Sequence, residues 1–146
     1  MIVVVDASVA TMWYLPQAFS EQAIDLLGSD HDLVAPNLMR IEVGSALLRG
    51  LRRKELNPEE TMKAIRALLP EAVRLLPTSA EQVEASLAIA VEHGGSIYDA
   101  IYVALARTLD APISTNDKEM AATAWKAGVQ ASLIADGVSA LPLPSA

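Results

Sequence analysis

The sequence predicts an α/β fold in which a central parallel sheet of about five strands is flanked by helices. Short apolar runs rich in β-branched residues alternate along the chain with longer segments of helical periodicity, as in sheets whose strands are joined by helices. Serine and asparagine, which commonly begin helices, stand at the junctions where strands give way to helices. The 146 residues are 52% hydrophobic, which is enough for a single domain, residues 1–146, with its own core.

The apolar runs predict the strands. The first run, IVVVD, is β-branched, is too short for a helix and ends at Asp6. Helices cover both faces of a parallel sheet, so its strands are continuously apolar rather than alternating. In chain order, the predicted strands are residues 2–6, 33–36, 73–77, 112–115 and 131–135.

Helical periodicity fills the segments between the strands. The predicted helices are residues 8–15, 20–27, 38–54, 58–69, 80–92, 97–109 and 118–127. A side-chain oxygen just before a helix accepts a hydrogen bond from a free backbone N–H of the first turn. The predicted N-cap residues are Ser8, Asn37, Asn57, Ser79, Ser96 and Asn116. Residues 141–146 (LPLPSA) are expected to form a short proline-containing tail that carries no chemistry.

Composition excludes several kinds of chemistry. The chain has no cysteine, which removes disulfides, thiolate zinc sites, iron–sulfur clusters and cysteine nucleophiles. It has two histidines, so oxygen atoms must supply most ligands of any metal. The net charge of −7 does not attract nucleic acid in bulk, so binding would need local basic patches and cations. The sequence shows no secretory signal and no membrane-spanning run, so we expect a cytoplasmic protein without membrane contact.

Four acidic residues are expected at one edge of the sheet. Ligands of parallel sheets bind outside the carboxyl ends of the strands. Asp6 ends the first strand and Asp117 follows the fourth, while Glu42 and Asp99 lie near the starts of two helices. Two unit charges ~5 Å apart repel each other by roughly 3 kcal/mol at an effective dielectric constant near 20. Such a cluster needs protons or a cation, and Mg²⁺ or Mn²⁺ suits oxygen ligands.

Each acid also has a structural interpretation, which the sequence leaves open. Asp6 is a possible turn residue, and Glu42 is a possible solvated helix position. Asp99 follows Ser96 by three residues, which is the spacing of a capping box. Asp117 carries a charge that suits the start of a helix.

The helix that contains Glu42 has a polar stripe. At about 100° per residue, one third of its circumference holds Leu38, Glu42, Ser45, Arg49, Arg52 and Arg53. We interpret this stripe as a phosphate track that leads to the acidic site, with Arg49 and Arg53 as its first members. The alternative interpretation is an ordinary solvated helix face.

Four segments together resemble the PIN-domain family, and specifically the VapC-like ribonuclease toxins of toxin–antitoxin pairs. The segments are VVVDASVA (3–10), RIEVGSALLR (40–49), SIYDAIYVALA (96–106) and PISTNDKEMA (112–121). Their order and spacing cover almost the whole chain. The resemblance implies a three-layer PIN-like fold.

The resemblance also assigns the site residues. Carried over by motif, it implies an acidic pocket that binds Mg²⁺ or Mn²⁺ and consists of Asp6, Glu42, Asp99 and Asp117. Three further positions, Ser8, Thr115 and Asn116, match polar residues that we expect to orient the carboxylates or water. Capping of the following helix is the alternative role of these three.

The resemblance implies an endoribonuclease that hydrolyses RNA phosphodiester bonds, is inhibited by an antitoxin protein and forms a homodimer. Apolar stripes at residues 24–27 and 65–69 are consistent with partner surfaces, although core packing is the favoured explanation of both. One alternative is a PIN-like module that binds RNA or protein without cleaving. A phosphotransfer enzyme is a weaker alternative because Ser8 replaces the second aspartate of such phosphatases, and Thr78 and Ser79 replace the acceptor aspartate of receiver domains.

Overall fold

The computed structural model describes residues 1–15 and 20–134, and for residues 67–70 it describes the backbone only. Its strands form one sheet in the order β3-β2-β1-β4-β5, and every neighbouring pair is parallel. The strands are β1 (Ile2–Val5), β2 (Asp32–Pro36), β3 (Arg74–Leu76), β4 (Ile113–Thr115) and β5 (Ala131–Leu133). The predicted central parallel sheet of about five strands is confirmed. Residue 135 of the predicted fifth strand and the predicted tail 141–146 lie outside the described residues.

Helices join the strands, as the periodicity predicts. They are α1 (Ala7–Thr11), α2 (Ser20–Leu27), α3 (Leu38–Arg52), α4 (Pro58–Lys63), α5 (Leu69–Ala72), α6 (Ala80–His93), α7 (Ile97–Leu109) and α8 (Lys118–Lys126). The first helix is shorter than the predicted 8–15. The helix predicted over 58–69 continues further, because a wide π-helical turn at Ala64–Leu68 joins α4 to α5.

The predicted N-caps are partly confirmed. The side chains of Asn57, Ser79 and Ser96 each accept a backbone N–H of the helix that follows. Asn37 precedes α3, but its backbone is already helical and its side chain makes no capping hydrogen bond.

Two N-cap predictions are wrong. Asp6 and Asp117 hold the positions before α1 and α8 that were predicted for Ser8 and Asn116. Ser8 lies inside α1, where its hydroxyl contacts Asp6 instead of a backbone N–H of its own helix. The acidic residues therefore stand directly at these two helix starts.

The core is built around the central strand β1. Val3, Val4 and Val5 have no solvent exposure, because helices cover both faces of the sheet. Val4 lies opposite Val34 of β2 on one side and Ile113 of β4 on the other. None of the helices in the described part of the chain has the length and apolarity needed to cross a membrane.

The order in which the chain adds strands to the sheet reverses between β1 and β4. The chain passes from β1 to β2 and β3 on one side, then returns to place β4 and β5 on the other. The carboxyl ends of β1 and β4 therefore lie side by side at one edge of the sheet. Ligands of such sheets bind at this position, where the strand order reverses. The N–H of Asp6 donates to the carbonyl oxygen of Ser114 at 2.9 Å, so Asp6 lies at this junction.

Replacing Ile113 with alanine is expected to lower the free energy of unfolding by about 2–5 kcal/mol, because its fully buried side chain fills the centre of the sheet. Urea denaturation followed by circular dichroism measures this loss. Ile41→Ala is the matched control: Ile41 is 72% exposed, so its loss should change stability by less than about 0.5 kcal/mol. Equal effects of the two substitutions would contradict the assignment of the core.

Candidate active site

Asp6 is a buried carboxylate held by two hydroxyl groups. Its Oδ2 accepts hydrogen bonds from Ser8 at 2.7 Å and from Thr115 at 2.8 Å. Each hydroxyl oxygen in turn accepts a backbone N–H, that of Asn116 for Ser8 and that of Asp117 for Thr115. An ionised carboxylate can only accept, so both hydroxyl protons go to Asp6, while the two N–H groups hold the hydroxyl oxygens in place. The segment after β4 thereby fixes one oxygen of the carboxylate at the end of β1.

Glu42 is a half-buried residue in the first turns of α3. The hydroxyl of Tyr102, which is fully buried in α7, donates to Glu42 Oε1 at 2.8 Å. This hydrogen bond joins the two helices that carry Glu42 and Asp99. Sequence reasoning missed Tyr102. The signal was its position three residues after Asp99, which puts the two side chains on the same face of α7.

Asp99 and Asp117 both lie in or before the first turn of a helix, but they differ in what their side chains do. Asp117 Oδ1 accepts the N–H groups of Glu119 at 2.9 Å and of Met120 at 3.4 Å, so this carboxylate caps α8. Asp99 donates its backbone N–H to Ser96 Oγ at 3.1 Å. In a capping box, the side chain of the third helical residue also accepts the backbone N–H of the N-cap residue, as in α4 and α6. Among the described residues, α7 lacks this second hydrogen bond, so capping does not occupy the Asp99 carboxylate.

The acids act on one another through their charges. Burial raises the pKa of Glu42 to about 7, and the negative charges of Asp6 and Asp99 add to the shift. Burial likewise raises the pKa of Asp99 to about 6, with contributions from Asp6, Asp117 and Glu119. Burial and Asp117 also raise the pKa of Asp6, although its hydrogen bonds oppose the shift. Each of the four predicted acids therefore interacts electrostatically with at least one of the others, and the charge of Glu119, which sequence reasoning missed, adds to the shift at Asp99.

The donor set suits a hard divalent cation by its chemistry. Every candidate ligand is a carboxylate oxygen, and their mutual repulsion favours a positive charge between them. Within residues 1–15 and 20–134, however, no three carboxylate or histidine side chains stand close enough to enclose an ion together. The two observations agree, since charges interact over roughly 10 Å but metal ligands must approach one point to about 2 Å. Holding an ion would require a closer approach of these carboxylates.

The polar residues predicted beside the acids differ in their contacts. Ser8 and Thr115 bind Asp6 directly, and their oxygens lie 3.4 Å apart. Asn116 takes part through its backbone N–H alone. Its side-chain Oδ1 is buried and, within the described part of the chain, has no hydrogen-bond partner. A buried oxygen in this state calls for a water or another ligand.

Arg49 and Arg53 lie apart from the acidic cluster. Both line a cleft of about 400 Å³ between α1 and α3, whose other walls are Thr11, Leu15, Ala46, Gly50 and Glu55. Arg49 donates to Ser45 Oγ at 3.1 Å, and both arginines are exposed. On an ideal helix Arg49 follows Glu42 by about 10 Å and Arg53, the C-cap of α3, by about 16 Å, and both positions lie within about 20° of Glu42 around the axis. The cleft thus continues the side of the helix that carries Glu42.

The family of the chain follows from comparison with known proteins. The family model described as PIN domain matches residues 3–126, so the chain belongs to the PIN-domain family. Ribonuclease VapC3 of Pyrobaculum aerophilum is 34% identical over 122 residues, which is 83% of this chain and 93% of that protein. These matches confirm the resemblance to VapC-like members of the family.

Solved structures share the fold at lower sequence identity. Mycobacterium tuberculosis VapC20, described as a Sarcin-Ricin loop cleaving toxin, superposes with a TM-score of 0.66 at 21% identity and covers 82% of this chain and 93% of its own. A toxin–antitoxin complex from Klebsiella pneumoniae gives a TM-score of 0.61 at 15% identity and covers 98% of both chains. These likenesses confirm the three-layer α/β architecture.

Glu42→Gln is expected to raise the melting temperature at pH 8 in EDTA. The pKa of Glu42 in the folded state, about 7, lies above its ordinary 4.5, so folding favours the protonated form and stability falls as the pH rises through 7. Above pH 7 the ionised Glu42 carries this penalty and glutamine does not. Below about pH 4.5 both side chains are neutral, and the difference should disappear. Thermal denaturation across this pH range measures it.

Asp32→Asn is the control, because the pKa of Asp32 is shifted in the direction opposite to that of Glu42. The hydrogen bond from Arg74 holds the pKa of Asp32 below its ordinary value, so ionised Asp32 favours the folded state and its loss should not raise the melting temperature at pH 8. If Glu42→Gln also fails to raise the melting temperature, burial and the neighbouring charges do not destabilise ionised Glu42 as described above.

Proposed function

We propose that this protein is a Mg²⁺- or Mn²⁺-dependent endoribonuclease and the toxin of a type II toxin–antitoxin pair. The observation that carries the proposal is the cluster of Asp6, Glu42, Asp99 and Asp117 at the junction of β1 and β4, where burial and mutual repulsion raise the pKa values of three of them. Its relative from Pyrobaculum aerophilum is named a ribonuclease, which supports RNA as the substrate.

The acids have different proposed roles. Asp6 and Asp99 are the first choices as metal ligands, and Asp117 is the next, through the carboxylate oxygen that does not cap α8. Glu42, with a pKa of about 7, either completes the ligand set or accepts the proton of the attacking water. The metal ion would supply charge neutralisation at the phosphodiester and a water of lowered pKa. Ser8 and Thr115 hold Asp6 in place, and Asn116 holds Ser8.

Asp6→Asn and Asp99→Asn are each expected to reduce RNA cleavage by at least about a hundredfold, because each removes a charge that holds the ion. The assay measures cleavage of a labelled total RNA preparation with Mg²⁺, with Mn²⁺ and with EDTA. Wild-type protein should cleave with either ion and not with EDTA. Circular dichroism confirms that the variants remain folded.

Asp25→Asn is the matched control for the nuclease test, because Asp25 is an exposed aspartate of α2 and should tolerate the same change. A non-cleaving binding module would show no metal-dependent cleavage and would retain RNA or protein binding in the Asp6 and Asp99 variants. Cleavage that continues in EDTA, or that survives both variants, would refute the proposed function.

RNA is proposed to run along α3 toward the acids. The net charge of −7 repels RNA in general, so binding must rely on local cations. Arg49 and Arg53 supply two such charges on one wall of the cleft, on the side of α3 that carries Glu42. Glu55 on the same cleft keeps its net charge low, which favours one or two phosphate contacts rather than a broad basic surface.

Arg49→Ala combined with Arg53→Ala is expected to weaken RNA binding about tenfold or more and to reduce the slope of log affinity against log salt by about 1–2, since each arginine neutralises one phosphate. The measurement is a salt titration by fluorescence anisotropy with the Asp99→Asn variant, which binds without cleaving. Arg40→Ala is the control, because Arg40 is exposed on the same helix about 160° away from Glu42. If the double variant and Arg40→Ala give equal salt slopes, the interpretation of Arg49 and Arg53 as a phosphate track is wrong.

An antitoxin partner and a homodimer complete the proposal. The Klebsiella pneumoniae complex that shares this fold is itself a toxin bound to an antitoxin, which supports a partner of that kind. Exposed apolar side chains are available to partners, and α6 carries three of them in a row at Val83, Leu87 and Val91. Of the stripe predicted at residues 24–27, Ile24 is exposed while Leu26 packs in the core.

A further inference from the structure

Tyr102 stands out among the residues that sequence reasoning did not select. It is the largest side chain of the described residues to be fully buried, yet its hydroxyl points away from the apolar core to a carboxylate. A phenylalanine would fill the same space without a polar atom to satisfy. The hydroxyl therefore has a role beyond packing, and its partner, Glu42, belongs to the acidic cluster.

The hydrogen bond from Tyr102 to Glu42 has a counterpart at Asp6. Two hydroxyls, those of Ser8 and Thr115, occupy one oxygen of Asp6, and the Tyr102 hydroxyl occupies Oε1 of Glu42 at a similar distance of 2.8 Å. Oε2 of Glu42 takes no part in this hydrogen bond. In both carboxylates, then, fixed hydroxyl groups restrict rotation through one oxygen and leave the second outside those bonds.

We propose that Tyr102 is a positioning residue of the acidic site, which fixes the carboxylate of Glu42 through Oε1 and keeps Oε2 available to the ion or to the attacking water. This inference rests on the proposed function. Tyr102 and Asp99 lie three residues apart on α7, so the helix that carries Asp99 also supplies the hydroxyl that holds Glu42. A hydroxyl that holds a ligand in this way acts through the ligand and touches neither RNA nor metal.

The test compares Tyr102→Phe with Tyr14→Phe. Both variants remove one hydroxyl from a tyrosine and keep the ring. Tyr14 is the matched control because its hydroxyl is also buried but has no hydrogen-bond partner among the described residues. Steady-state RNA cleavage gives kcat and KM, titration calorimetry with Mn²⁺ alone gives the dissociation constant of the ion, and thermal denaturation verifies folding.

Tyr102→Phe should lower kcat about tenfold or more at unchanged KM and should weaken Mn²⁺ binding about tenfold, as expected for a residue that orients a ligand. Tyr14→Phe should leave all three values at the wild-type level. In a double-mutant cycle, adding Tyr102→Phe to Glu42→Gln should cost nothing further, because the hydroxyl acts only through Glu42.

The outcomes separate this inference from the proposed function. Wild-type protein that cleaves RNA with Mg²⁺ while Tyr102→Phe behaves like Tyr14→Phe overturns the role of Tyr102 alone. The role of Tyr102 is also overturned if Tyr102→Phe lowers kcat by the same factor in the Glu42→Gln background as in the wild type. Wild-type protein that binds Mn²⁺ without cleaving RNA overturns the nuclease, and the Mn²⁺ affinities then decide the role of Tyr102. Protein that neither cleaves nor binds Mn²⁺ overturns both.

Discussion

The repulsion between carboxylates held together at the junction of β1 and β4 is the constraint on which the site depends. Water would normally screen such charges, but Asp6 is only 5% exposed, and burial is the largest cause of the raised pKa values of Asp6, Glu42 and Asp99. A fold that tolerates this cost must hold the acids in place against their own repulsion. The buried β-sheet supports the backbone that carries the acids, and hydrogen bonds from hydroxyl groups hold the carboxylates of Asp6 and Glu42.

The supporting hydrogen bonds come from hydroxyl groups that the backbone holds in place. The N–H groups of Asn116 and Asp117 donate to the hydroxyl oxygens of Ser8 and Thr115, and both hydroxyls donate to the carboxylate of Asp6. The loop after β4 therefore stabilises the carboxylate at the end of β1, the strand that pairs with β4. Asp117 has two roles, because one oxygen caps α8 and the carboxylate charge still acts on Asp6 and Asp99.

The overall negative charge and the proposed RNA substrate are reconciled by geometry. The two arginines of the cleft lie on the side of α3 that continues from Glu42, about 10 and 16 Å further along the helix. Phosphates held there would be guided toward the acids without a basic surface elsewhere. A cation among the acids would complete the guidance by removing the local repulsion between carboxylates and phosphodiester.

The parallel α/β sheet, the approximate bounds of its strands and the four acids near helix starts could all be predicted from the amino-acid sequence, because apolar runs, helical periodicity and position after a strand are local properties. The roles of those acids stay predictions. Three features could not be predicted in this way: Ser8 contacts Asp6 instead of capping α1, Asp117 caps α8, and Tyr102 donates to Glu42. Tyr102 and Glu42 are 60 residues apart in the chain. Such a contact depends on how two helices that are distant in the chain are placed relative to each other, which no local pattern encodes.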